Sequence, residues 1–135
     1  MQIVLPVIVR ISGREAKLKA LFDTGSAFTL MSHKVLRKYF GDVETKKLVV
    51  PREGVLLNGQ KIIIDSFVDA QIMIKNYMIE ERIYLSPNIP EEVEKEGKRV
   101  RLPQLIIGAP TMETWDIQID IKKGDILIRG MPLIL

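Results

Sequence analysis

Apolar and polar residues alternate with a period of two over most of this chain. The clearest runs span residues 3–11, 16–22, 60–67, 69–74 and 77–85. Successive side chains of a β-strand point to opposite faces, so this periodicity predicts strands that bury one face. Turn sequences separate the runs, among them SGRE (12–15) and the pair Asn58-Gly59. Many short strands of this kind indicate a compact, mostly β barrel or sandwich.

Three stretches depart from the alternation. Ser32 is suited to cap a helix over residues 33–40, which Gly41 would end, and Pro110 begins a second short helical pattern. Residues 86–104 are bounded by prolines, and eight of the residues 91–101 are charged. We expect this last stretch to be a solvated loop with one helical turn.

Length and composition exclude several classes of protein. The 135 residues predict one domain, 1–135. A net charge of +3, with Lys and Arg spread along the chain, gives no indication of nucleic-acid binding. No run approaches the roughly 18 apolar residues that a membrane span needs. The lack of cysteine fits a reducing compartment, or a hot one where thiols are a liability. With no signal-peptide pattern at the start of the sequence, we expect a cytoplasmic protein.

One carboxylate stands in an unusual place. Of the seven aspartates, only Asp23 lies between apolar runs and is followed by Thr-Gly-Ser, in LFDTGSAF. A buried ionised acid costs several kcal/mol unless it is hydrogen-bonded or paired. Gly25 permits a tight turn, and the hydroxyls of Thr24 and Ser26 can hold the loop or bond the carboxylate. Two readings are open: Asp23 forms an Asx-turn, or its carboxyl group performs chemistry.

Other chemistries find fewer suitable residues. His33 is the only histidine, so a Ser-His-Asp triad would depend on it, and its position at a helix start favours a capping or surface role. Zinc usually takes several His and Cys ligands, so no metal is expected. An Asp-x-Gly-Ser turn also binds phosphate in actin-like and sugar-kinase ATPases. Those proteins need two domains and further loops, which a chain of this length cannot hold.

A second motif gives Asp23 a context. LFDTGSAFTLMS (21–32) and LIIGAPTMETW (105–115) together resemble the two motifs of the retropepsin-like aspartic proteases, and IDIKKGDILI (119–128) is similar to the closing hairpin of their cellular members. The resemblance implies a mostly β, closed-barrel-like retropepsin (acid protease) fold with one or two short helices. The chain differs from the viral enzymes in having Ser26 where they usually have Ala, and in its longer segment 86–104.

The same resemblance implies roles for particular residues. Asp23 would be the catalytic acid and base. The supporting residues would be Thr24, Gly25 and Ser26 in the loop, with Ile106, Ile107 and Gly108 packed behind it. A flap over the cleft would come from residues 49–64, with its tip at Leu57, Asn58, Gly59 and Gln60. No cofactor is implied.

The mechanism of this family needs two carboxyls, and the chain has no second Asp-Thr/Ser-Gly. The resemblance therefore implies a symmetric homodimer with one Asp23 from each subunit. The apolar segments 1–5 and 131–135 would either interleave across the dimer or close the monomer's own sheet. The implied activity is that of an aspartic endopeptidase acting on peptides or unfolded proteins. The alternative is an inert or weakly active module of the same fold that binds proteins.

Overall fold

The computed structural model describes residues 2–56 and 59–129. These residues form eleven strands and two short helices, so the expected mostly β class is confirmed. The strands are β1 (Gln2–Ile11), β2 (Arg14–Asp23), β3 (Leu30–Ser32), β4 (Lys46–Val55), β5 (Lys61–Ile74), β6 (Tyr77–Ser86), β7 (Glu92–Lys95), β8 (Lys98–Arg101), β9 (Leu105–Gly108), β10 (Ile117–Asp120) and β11 (Asp125–Ile128). The helices are α1 (His33–Phe40) and α2 (Ala109–Thr114).

Six strands close into a barrel. They follow the order β1-β2-β9-β3-β6-β5, and β5 returns to pair with β1. The barrel core contains side chains that are fully shielded from solvent, including Val9, Phe22, Ile72, Ile83 and Ile107. β4 pairs with β5 outside this ring, so the β4–β5 hairpin extends beyond the barrel.

Local sequence signals account for the first half of the barrel. Ser12 and Gly13 both have positive φ angles, of 51° and 76°, as a two-residue turn between paired strands requires. The predicted first helix is present: the Ser32 hydroxyl accepts a hydrogen bond from the Val35 amide at 3.0 Å, and Gly41 ends the helix with a φ of 70°. These residues therefore fix the β1–β2 turn and both ends of α1.

The expected loop over residues 86–104 was wrong, because its middle is the β7–β8 hairpin. Glu96 and Gly97 have φ angles of 52° and 77°, so they make a two-residue turn. Opposite charges then face one another across the strands, since Glu94 pairs with Arg99 in the register. The charged composition of this segment had suggested solvated coil, whereas the segment is a paired ribbon whose charged side chains are exposed.

Two other stretches differ from the pattern. The runs 60–67 and 69–74 belong to one long strand, β5, and residues 27–32 contain only the short strand β3. The apolar terminal segments have different outcomes: residues 2–5 pair with β2 of the same chain, whereas residues 131–135 lie outside the described part of the structure. Neither of the two described helices is long and apolar enough to cross a membrane.

Candidate active site

Asp23 is the last residue of β2, and it is only 9% exposed. Its Oδ1 accepts a hydrogen bond from the Gly25 amide at 2.9 Å, and its main-chain oxygen accepts one from Ser26 at 3.2 Å. These contacts form an Asx-turn, which is the first of the two roles that the sequence left open for Asp23. The Asp23 Oδ2 lies 3.5 Å from the side-chain amide of Gln2. Because the turn uses Oδ1, it holds the carboxyl group in place without consuming both oxygens.

The loop after Asp23 is fastened to the start of α2. The main-chain oxygen of Ser26 accepts a hydrogen bond from Ala109 at 2.8 Å. The Ser26 hydroxyl donates to the Phe28 oxygen at 2.8 Å, so Ser26 is bonded both to α2 and within its own loop. Thr24 and Gly25 are exposed at the turn. Ser26 thus has the loop-holding contacts that the sequence led us to expect.

Gly108 lies opposite Asp23 on the neighbouring parallel strand β9. A methyl group at Gly108 would lie 2.5 Å from the Phe28 oxygen and 2.8 Å from the Ser26 oxygen. Only glycine therefore allows β9 to approach the loop this closely. Ile107, next to Gly108, is buried in the barrel core, whereas Ile106 points to the other face and lines a cleft beside Asp23.

Two buried threonines, which the sequence reasoning missed, connect these segments. The Thr29 hydroxyl oxygen lies 2.6 Å from the Thr111 hydroxyl oxygen and accepts a hydrogen bond from the Gly108 amide at 3.1 Å. Each threonine is 4% exposed. A buried hydroxyl costs free energy unless it is hydrogen-bonded. Separating the loop from α2 would break this hydrogen bond between the two threonines, so the pair stabilises the contact between the loop and α2. An isolated Thr in a β-rich sequence gave no signal of this contact.

A cleft of about 360 Å³ lies between the Asp23 loop and the β4–β5 hairpin. Its lining is mainly apolar, with Leu56 and Ile62 on the hairpin side. The segment predicted to form the flap, residues 49–64, lies in this hairpin, and its role as a flap stays a prediction. Of the predicted tip residues, Leu57 and Asn58 lie outside the described residues. Gly59 donates to the Leu56 oxygen at 2.9 Å, and the Gln60 oxygen accepts from the Leu56 amide at 2.8 Å.

His33 lies away from this cleft and has specific partners, although a capping or surface role was expected. Its Nε2 is 2.8 Å from Asp65 Oδ1 and 3.3 Å from the Ser66 hydroxyl. The hydroxyl of Ser66 also donates to Asp65 at 2.8 Å. Burial raises the pKa of Asp65, but the hydrogen bonds from His33 and Ser66 outweigh it, so the net pKa is lowered. Both partners meet the same ring nitrogen, so these two contacts do not form the arrangement of a catalytic triad, in which the two ring nitrogens have different partners.

Metal ligation has no equivalent cluster in the described part of the chain. Within residues 2–56 and 59–129, no three His, Asp or Glu side chains are grouped as they would be around a metal ion. Among the described residues, the carboxylates that line the cleft are Asp23 and Glu53.

No family model and no curated protein matches this sequence. Solved structures do match the fold. The chain is similar to the retroviral protease-like domain of Ddi1 from Leishmania major, with a TM-score of 0.57 at 17% identity, covering 96% of this chain and 90% of that one. It is also similar to EIAV protease in complex with the inhibitor HBY-793, with a TM-score of 0.57 at 14% identity, covering 84% of this chain and 88% of that one. The chain therefore has the retropepsin-like fold.

Proposed function

We propose that this protein is an aspartic endopeptidase that works as a homodimer, with Asp23 of each subunit as the catalytic acid and base. The observation that carries the proposal is the position of Asp23, a shielded carboxyl at the floor of an apolar cleft, opposite Gly108 and held by an Asx-turn. The likeness of the fold to a retroviral-type protease supports the same conclusion. Thr24, Gly25 and Ser26 would support the loop, with Ile106, Ile107 and Gly108 behind it.

In this mechanism the two Asp23 carboxyls hold one water molecule between them. Two carboxyls about 3 Å apart cannot both ionise, so they share one proton. The ionised carboxyl takes a proton from the water, and the water oxygen attacks the carbonyl carbon of the peptide bond. The protonated carboxyl donates its proton to the carbonyl oxygen. The tetrahedral intermediate then breaks its C–N bond: the leaving nitrogen takes the proton from the carboxyl that accepted it from water, and one hydroxyl of the intermediate returns its proton to the other carboxyl, which restores the shared proton.

The second carboxyl is proposed to come from a partner subunit. Apart from Asp23, the carboxylate that lines the described part of the cleft is Glu53, and it is exposed on β4. An exposed acid is a poor substitute, because water already solvates its charged form. A twofold axis between two copies of Asp23 would supply an equivalent, equally shielded carboxyl.

The first strand offers a surface for such a partner. β1 pairs with β2 along its whole length, but it pairs with β5 only through Ile8, Val9 and Arg10. Among the described residues, positions 2–7 are therefore paired on one edge only. Unpaired main-chain groups on a strand edge accept a further strand. Val4 adds a side chain that is 52% exposed.

We propose a substrate class from the lining of the cleft and a compartment from the composition of the chain. A cleft with a mainly apolar lining fits an extended peptide or unfolded protein. No cofactor is needed for a water activated by carboxyls. The absence of cysteine is the basis for proposing a cytoplasmic protein. The alternative remains an inert module of this fold that binds proteins, and it makes different predictions for Asp23.

The test compares Asp23→Asn with the unchanged protein on a denatured protein substrate at acid pH. The amide keeps an oxygen that can accept from the Gly25 amide, so the variant is expected to fold while losing proteolysis by several orders of magnitude. Asp42→Asn makes the same chemical change at an exposed site and should keep full activity. Proteolysis that survives in purified, folded Asp23→Asn would remove Asp23 from the mechanism. An unchanged protein that binds substrate without cleaving it would establish the alternative.

A further inference from the structure

The cleft beside Asp23 has a side wall that comes from the β7–β8 hairpin. Val93 is the one buried residue among residues 92–101, at 9% exposure, while the other positions are exposed. It lines the same cleft as Asp23. Val93 also shares an apolar cluster with Leu56, Ile62 and Ile64, which come from the β4–β5 side. The two hairpins therefore meet over one apolar surface.

The hairpin is held at its base, close to Val93. The Leu102 amide donates to the Glu91 oxygen at 2.8 Å, which closes the base of the ribbon. The Glu91 carboxylate pairs with Lys34 of α1 at 2.9 Å. Both groups of this pair are well exposed, so its contribution is small, and the apolar contact of Val93 is the main attachment. Val93 is thus attached to the rest of the chain through its apolar cluster and the closed base of its hairpin.

The side chains around Val93 define what can bind there. Leu102 and Ile106 are half-buried and line the cleft next to it. All three side chains are hydrocarbons, so this part of the cleft offers dispersion and burial and no hydrogen-bond partner from a side chain. Pockets of this kind discriminate ligands by the size of an apolar group.

We propose that Val93 is a specificity-determining residue, which sets the size of the apolar side chain that a peptide can place beside Asp23. The inference rests on the proposed function, because it takes a peptide as the ligand of this cleft. Side chains of an extended peptide alternate between two faces, so one of them meets the wall that Val93, Leu102 and Ile106 form. Truncating Val93 enlarges this space, and enlarging Val93 fills it.

The experiment uses peptides in which one residue near the centre is Ala, Val, Leu or Phe, with each central position varied in turn. The variants are Val93→Ala and Val93→Phe. Val100→Ala is the matched control, because Val100 pairs with Val93 across the hairpin but is 42% exposed and does not line the cleft. Thermal unfolding of each variant establishes that it folds. If Val93→Phe does not fold, Val93→Ala alone tests the proposal.

Two readouts separate this inference from the proposed function. Cleavage gives the ratio of kcat/KM for the Phe peptide to that for the Ala peptide, and fluorescence anisotropy in the Asp23→Asn background gives the same ratio for binding. Val93→Ala should raise the ratio on the order of tenfold and Val93→Phe should lower it, while Val100→Ala leaves it unchanged. If the binding ratio shifts but the protein with Asp23 intact cleaves no peptide, Val93 has the proposed role and the proposed protease activity is rejected. Cleavage with an unchanged ratio, or no peptide binding at all, overturns the role of Val93.

Discussion

Asp23 and Gly108 lie opposite each other on two adjacent parallel strands, β2 and β9. This pairing joins the loop that carries the acid to the start of α2, since the loop passes directly over Gly108. Hydroxyl groups of two buried threonines fix the same junction. The position of the carboxyl therefore depends on a residue far away in the sequence that has no side chain.

Gly108→Ala is expected to destabilise the protein and to reduce its proteolytic activity. The added methyl group would meet the main-chain oxygens of Phe28 and Ser26, which cannot rotate away as a side chain could. Overpacking of this kind costs about 1–3 kcal/mol, measured by urea unfolding. Gly54→Ala is the control, because its methyl group would meet the Ile62 side chain at 3.2 Å, and we expect a change below about 1 kcal/mol. Equal losses of stability for the two substitutions would contradict this reading.

The Asp23–Gly108 neighbourhood was predicted from the family resemblance, which placed the segment that ends in Gly108 beside the acid. The local signal was limited to the Asp23 turn, where Gly25 permits close backbone approach. Other features depended on tertiary contacts that no local pattern encodes. The Thr29–Thr111 pair joins residues 82 apart in the chain, and His33 at the start of α1 contacts Asp65 on β5.

The β7–β8 hairpin shows the opposite failure, in which a local signal was present but was outweighed by composition. Glu96-Gly97 could have been read as a turn between two short strands, yet the density of charge favoured a solvated loop. One apolar residue, Val93, decides the outcome by giving the ribbon a surface to pack on. The predicted Asn58-Gly59 tip cannot be compared, because Asn58 lies outside the described residues.

Proteolysis is expected to be greatest in the acid range and to be blocked by statine-type inhibitors such as pepstatin. The proposed pair of carboxyls works only with one proton between them, so raising the pH until both ionise should end catalysis. The measurement is kcat/KM against pH, with and without pepstatin. Serine-protease reagents and chelators are the controls and should have no effect. Inhibition by those reagents, with none by pepstatin, would argue for different chemistry.

Asp65→Asn is expected to lower stability in a manner that depends on pH. The folded pKa of Asp65 is lowered from 3.8, so its carboxylate stabilises the fold above that pH and loses this effect as the pH falls through the folded pKa. The side chain is 40% exposed, so solvent screening limits the loss near neutral pH to less than about 1 kcal/mol. Urea unfolding should show the difference near neutral pH, and the difference should shrink as the pH falls below 3.8. Asp42→Asn, at an exposed position, should show neither.

The last prediction concerns assembly, and it follows from counting carboxyls. One chain carries one Asp-Thr-Gly, and the proposed reaction needs two such acids on either side of a water. Specific activity should therefore fall on dilution below the dissociation constant of the dimer, which sedimentation measures independently. Excess Asp23→Asn chains should poison the unchanged protein, because nearly every active chain then has an inactive partner. Excess Asp42→Asn should not. A monomer with full activity at every concentration would eliminate the two-chain site, and Asp23 would need a second acid from its own chain.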